Sequence, residues 1–196
     1  MSAAQQSKPL SQDDVLDAAL ALGDVCGWEK LTLHAIAQQL ETSLADIKQH
    51  FAQKDDLVDA WLDRADALAL AQFPLTMAQG HISTTVRLKM VIQAWLDALS
   101  AHHKLTGEML LYKLEPGHIH LQAAGVLRIS RTVQWFREAA GLKATHLQRI
   151  GQEIALSSLF VGIFVYWLND RSANQAKTRK RLAGALHQGH RIRLWK

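Results

Sequence analysis

A chain of 196 residues with 48% hydrophobic and 20% charged side chains can bury a substantial core, and its 3 prolines and 11 glycines exclude collagen-like, linker-like and disordered classes. A single cysteine, Cys26, excludes an intrachain disulfide and a cysteine-built zinc or iron–sulfur framework, which fits a reducing compartment. The net charge of +4 hides a split: residues 1–70 carry five basic against twelve acidic side chains, a net of −7, whereas residues 71–196 carry seventeen against six, a net of +11.

Apolar residues recur at spacings of three and four nearly everywhere, and no alternation lasts the length of a strand, so the pattern predicts an all-α protein. No apolar run follows Lys8, so the amino terminus reads as lacking a secretion signal and a cytoplasmic location is expected. The first helix starts after the cap Ser11, with Asp13 and Asp14 in its first turn, and carries the stripe Val15, Ala18, Ala19, Leu22, Val25, Cys26 before Gly27 ends it. A short helix capped by Thr32 places Leu33, Ile36, Ala37 and Leu40 inward, and a turn follows at Glu41 and Thr42. A third helix, capped by Ser43, points Leu44, Ile47 and Phe51 inward and leaves Ala45, Asp46, Lys48 and Gln49 outward. Two such helices joined by a few polar residues form a helix-turn-helix.

A fourth helix, from about Lys54 to Gln72, carries Leu57, Trp61, Leu62, Ala65 and Leu68 on one side. Its aspartates, including Asp59, Asp63 and Asp66 on one face, read as a solvated surface rather than a metal site. The segment 73–80, with Pro74 and Gly80, is the expected boundary, dividing the chain into residues 1–72 and 73–196. Beyond it the pattern predicts helices over about 82–101, 105–114 and 119–140, with breaks at Pro116-Gly117 and Gly141. Residues 154–168 form a fifteen-residue uncharged run, short of the roughly 20 needed to span a bilayer, and read as a buried or interface helix. The last helix, about 172–189, is basic on its outer face through Lys177, Arg179, Lys180 and Arg181.

Residues 31–62, LTLHAIAQQLETSLADIKQHFAQKDDLVDAWL, resemble the amino-terminal domain of the TetR family of bacterial transcriptional regulators. The landmarks are Leu31-Thr32, Ile36-Ala37, Ser43, Ile47, His50-Phe51, and Lys54 with Leu57; where the family usually turns on a glycine, this chain has Glu41. The resemblance implies a dimer whose third helix enters the major groove of DNA. It places Thr32, Ser43, Lys48, His50 and Lys54 at positions that contact phosphates or base edges, beside the outward Ala45, Asp46 and Gln49. It further implies a carboxy-terminal domain that binds a small effector, dimerises through its last two long helices, and shifts the recognition helices over a palindromic site, most simply as a repressor.

Residues 166–186, through Trp167, Leu168, Asp170, Ser172, Thr178 and Leu182, are also similar to the TetR-fold lipid-binding accessory proteins of ubiquinone biosynthesis. That similarity implies an alternative: an isoprenoid-binding protein without DNA contacts, touching a membrane surface through a basic tail with Leu182, Leu186, Ile192, Leu194 and Trp195.

For an apolar ligand pocket the candidates are Trp95, Met109, Tyr112, Trp135, Phe136, Phe160, Phe164 and Trp167, with Tyr112, His118 and His120 as polar contacts. The ten histidines show no metal-ligand spacing, and the chain has neither a phosphate-binding glycine loop nor a Gly-x-Ser-x-Gly turn. The expectation is a protein that is not an enzyme and needs no cofactor or metal.

Overall fold

A computed structural model describes residues 9–73, 82–113 and 119–195, and within 119–126 the side chain environment of position 125 alone. Its described residues form α1 (Gln12–Cys26), α2 (Leu33–Gln39), α3 (Leu44–His50), α4 (Lys54–Ala71), α5 (Thr84–Leu99), α6 (His103–Lys113), α7 (Ile119–Ala140), α8 (His146–Leu168) and α9 (Ala176–Arg191), with no strand among them. The boundary segment expected at 73–80 lies outside the described residues except for Phe73, and so do Pro116, Gly117 and His118.

The chain divides into two compact units. The first takes the described residues up to Trp61 together with Lys104–Tyr112, and the second takes Leu62–His103 with the described residues from Lys113 onward. The starts of α1, α2 and α3 are fixed locally. Ser11 and Asp14 form a capping box on α1, Thr32 accepts from the Ala35 amide on α2, and Ser43 and Asp46 form a second capping box on α3. Gly27 ends α1 at a φ of +83°, a backbone region open to glycine at little cost. The core of this unit is built on Val15, Leu16, Leu20, Trp28, Ile36, Ile47, Phe51, Leu57 and Trp61. The buried face of α1 is Val15, Leu16, Ala19, Leu20 and Gly23, so the stripe expected through Val25 and Cys26 is out of phase, and Val25 is 88% exposed.

In the second unit α5 packs on α7, α8 and α9, and α8 packs on α7 and α9. The long helix expected to begin near residue 154 starts at His146. Its buried side is Gln152, Leu156, Phe160, Ile163 and Trp167. Its opposite side exposes Leu147, Ile150, Ile154, Ser158, Val161 and Val165 at spacings of three and four. Alpha 8 is long and apolar enough to cross a membrane by length and composition alone. A helix with one face in a protein core and one apolar face outward is instead the pattern of an interface helix.

Candidate nucleic-acid interface and ligand-binding region

Alpha 2 and α3 are each seven residues long and pack on one another and on α1. Their connection turns at Glu41, whose φ is +51°, so a glutamate holds the left-handed conformation at the place where a glycine costs least. Ile47 and Phe51 seat α3 in the core. Leu44, expected beside them, is instead 50% exposed, because its position at the first turn of a two-turn helix lies off the buried edge.

The outward face of α3 is therefore Leu44, Ala45, Lys48 and Gln49, all exposed, while His50 is half-buried. Asp46, expected outward, turns back on its own helix start. Its Oδ2 accepts from the Ser43 amide at 3.1 Å, the Ser43 hydroxyl at 2.5 Å and the Thr42 hydroxyl at 2.9 Å. Hydrogen bonds from Ser43 and then Thr42 hold its carboxyl below the ordinary range. Its negative charge is thus engaged by the cap and directed at that end of the helix. Thr32 and Ser43 are exposed, and each hydroxyl accepts a capping amide.

Lys54, expected at a DNA-contact position, is half-buried. Its Nζ donates to the Trp28 carbonyl at 2.5 Å and the Glu29 carbonyl at 3.4 Å. It also lies 4.7 Å from the Trp28 ring centroid and 5.6 Å from that of Tyr112. Burial pushes its pKa down, against the pull of nearby Asp55. The side chain staples the start of α4 to the loop after α1.

The ligand candidates do not form one wall. Trp95, Phe136, Phe160 and Trp167 are buried in the second unit, and Phe164 is half-buried there. Trp95 meets Phe160 and Phe164 edge-on at 5.1 Å each, and Phe136 meets Phe160 edge-on at 5.1 Å. These rings fill the interior by packing on one another. Trp135 is 48% exposed, on the far side of α7 from Phe136. Met109 and Tyr112 belong to the first unit, where Met109 is core and Tyr112 faces Lys54. His118 lies outside the described residues, as does the side chain of His120.

The described residues of the second unit shape at least two concavities. One, of about 420 Å³, is polar and lined by residues including Asp97, Ser100, His103, Asp170 and Arg179, and another, of about 900 Å³, is an apolar groove between α7 and α8. His103 bonds the Trp167 carbonyl at 2.9 Å and its ring stacks edge-on against the Trp167 ring at 4.2 Å, which joins the polar concavity to the aromatic core.

Of the aspartates expected on a solvated face of α4, Asp63 is exposed and Asp66 is not. Asp66 is buried, and its Oδ1 accepts from Trp95 Nε1 at 2.7 Å and the Thr132 hydroxyl at 3.1 Å. The buried Arg128 pairs with Asp66 at 2.9 Å and Asp63 at 3.1 Å, and Arg131 pairs with Asp63 at 2.8 Å. Burial raises the Asp66 pKa, opposed first by Arg128. Among the described residues no group of three or more metal-ligating side chains comes together.

The tail motif behind the accessory-protein similarity is structural. Asp170 accepts from the amides and hydroxyls of both Ser172 and Thr178 at 2.6–2.9 Å, and so joins the turn after α8 to the first turns of α9. Burial pushes its carboxyl up, and these four hydrogen bonds overcome that and hold it well below the ordinary range. Leu182, Leu186 and Trp195 face inward, and Trp195 Nε1 donates to the Leu186 carbonyl at 2.9 Å. The Trp195 ring occupies the space a side chain at Gly189 would need. Of the tail's apolar residues expected at a membrane surface, Leu182 and Leu186 lie on the buried side of α9 and Trp195 is buried against it, while Leu194 is half-buried and Ile192 exposed.

The α2–turn–α3 geometry defines a helix-turn-helix protein, carried on a chain whose second unit is a helical bundle. Among solved structures, a TetR transcriptional regulator from Nitrosomonas europaea ATCC 19718 matches with a TM-score of 0.80 and 37% identity, over 91% of this chain and 97% of that one. A TetR transcriptional regulator from Rhodococcus sp. RHA1 matches at a TM-score of 0.61 and 17% identity, over 88% and 93% of the two chains. The multidrug binding protein EbrR, complexed with imidazole, matches at 0.60 and 21%, over 89% and 88%. No family model and no curated protein matches the chain. At the identity and coverage of the Nitrosomonas match, the chain belongs to the TetR family of transcriptional regulators.

Proposed function

We propose that this regulator binds a palindromic DNA site as a homodimer, represses from it, and is released by a small apolar effector. The observation that carries the reading is the outward face of α3, where Lys48 and Gln49 stand exposed on a helix locked by its capping box and by Ile47 and Phe51. A lysine offers a donor to guanine or phosphate and a glutamine offers a bidentate match to adenine. Thr32, Ser43, Ala45 and His50 complete the DNA-facing set. Asp46 and Lys54 act on it by position, through the cap and through the Trp28 carbonyl.

The exposed stripe of α8 supports the dimer. Leu147, Ile150, Ile154, Val161 and Val165 give an apolar seam beside the α7–α8 groove, which a second copy with the same seam covers by two-fold symmetry. Two-fold symmetry in the protein implies a two-fold symmetric site in the DNA. Residues 1–72 supply DNA contacts, and residues 73–196 supply dimerisation and effector binding. The effector reaches the aromatic cluster at Phe164, the half-buried ring among the buried ones, and acts by binding the DNA-free arrangement more tightly. The protein works in the cytoplasm by binding and not by turnover.

The test is selection of genomic DNA fragments by the purified protein at low salt. Enrichment of one palindromic sequence is the expected result. A folded dimer that enriches nothing contradicts the reading.

A further inference from the structure

The exposure of α3 points to a readout that its charged residues do not supply. We infer that Leu44, with Ala45 beside it, reads the C5-methyl group of thymine in each half-site. The inference rests on the DNA-binding reading above and names the chemistry of that interface.

Three observations carry it. Leu44 is 50% exposed, although its position among Ile47 and Phe51 in the sequence calls for burial, so the structure presents an isobutyl group on the outward face. Positions four apart on a helix stand one above the other, which puts Leu44 in a column with Lys48 and Ala45 in a column with Gln49. The acid of this helix is turned back on the cap, because Asp46 Oδ2 accepts from Ser43 and Thr42, so Leu44 and Ala45 are the side chains of the first turn left fully outward. An apolar pair at the leading end of a recognition helix, with a cation and an amide one turn on, matches an edge that shows a methyl group next to hydrogen-bonding atoms. In the major groove thymine alone presents that methyl. A turn of four residues rises about 6 Å, so the thymine lies within about two base pairs of the base met by Lys48.

The test uses the full-length protein and the site enriched by selection, with each thymine replaced in turn by deoxyuridine, which differs by the methyl group. Replacement at one thymine in both half-sites is expected to weaken wild-type binding about fifteenfold, as burial of one methyl is worth about fourfold per half-site. In Leu44→Ala the same replacement is expected to cost less than twofold. Leu44→Met, which keeps an apolar side chain of similar length, is expected to retain the sensitivity. Melting curves establish that both variants fold, which the exposure of the position favours. A selected site whose affinity ignores every deoxyuridine, a half-site without thymine, or an equal loss in wild type and Leu44→Ala overturns the inference while leaving the regulator intact. Failure to select any site overturns the regulator reading, and this inference with it.

Discussion

The two compact units hold a cation in opposite ways. In the first, Lys54 lies on two backbone carbonyls and two aromatic rings, and desolvation lowers its pKa. In the second, Arg128 lies against the carboxylates of Asp66 and Asp63, with Thr132 accepting from its Nη1. Carbonyl dipoles and ring faces hold an ammonium without neutralising it, whereas the carboxylates neutralise the guanidinium, and Asp66 also accepts from Trp95 and Thr132. The comparison teaches that a positive charge beside a helix-turn-helix is not by itself a phosphate contact. Lys54 is held by the fold, and Lys48 stands on the exposed face.

The largest expected effect lies in the second unit. Asp66→Ala leaves Arg128 buried beside Asp63 alone and removes the acceptor for Trp95 and Thr132, at a cost of about 3–5 kcal/mol. Urea denaturation measures it, and the double replacement Asp66→Leu with Arg128→Met is expected to recover most of the loss. A double variant no more stable than Asp66→Ala breaks the view that charge pairing sets the cost.

Asp170→Ala is expected to cost about 2 kcal/mol at neutral pH, because four donors lose their acceptor. Its folded-state pKa lies below the ordinary 3.8, so its contribution is present above that value and is lost as pH falls towards the depressed one. The gap in urea midpoint between wild type and variant should therefore close in acid below about pH 4.

In the first unit, Lys54→Met is expected to cost about 1–2 kcal/mol, from two hydrogen bonds and two cation–ring contacts. The distinguishing readout is the salt dependence of DNA binding. The slope should match that of wild type if Lys54 is a staple, and should fall by about one if it neutralises a phosphate. The smallest effect has the opposite sign. Glu41→Gly relieves a left-handed backbone at φ +51° and should raise stability by about 0.5–1 kcal/mol in the same urea assay.

Features set by neighbours in the chain were legible in the sequence. The caps Ser11, Thr32 and Ser43, the stop at Gly27, and the seating of α3 on Ile47 and Phe51 all depend on contacts within four residues. The outward positions of Ala45, Lys48 and Gln49 followed from the same spacing. Phase was harder to read where several residues were apolar in succession, as in α1, where Leu16 and Leu20 took the buried side from Leu22 and Val25. Leu44 was misplaced because two helical turns are too few to define an inward stripe. The pairings of Asp66 with Arg128 and of Lys54 with the Trp28 carbonyl join distant positions, and nothing in local spacing announces them. A charge count by sequence halves placed Asp63 and Asp66 with the acidic helix-turn-helix half. In space they belong to the second unit, where Arg128 and Arg131 answer them.

The central claim is that this TetR-family chain reads DNA through the exposed face of α3. Its most direct test is the affinity of the protein for the selected site, measured by fluorescence anisotropy across a salt series in wild type and Lys48→Ala. The account predicts a steep decline with salt in wild type and a slope shallower by about one per lost phosphate contact in the variant. A wild-type affinity that ignores salt, or a Lys48→Ala protein indistinguishable from wild type in both affinity and slope, would contradict it.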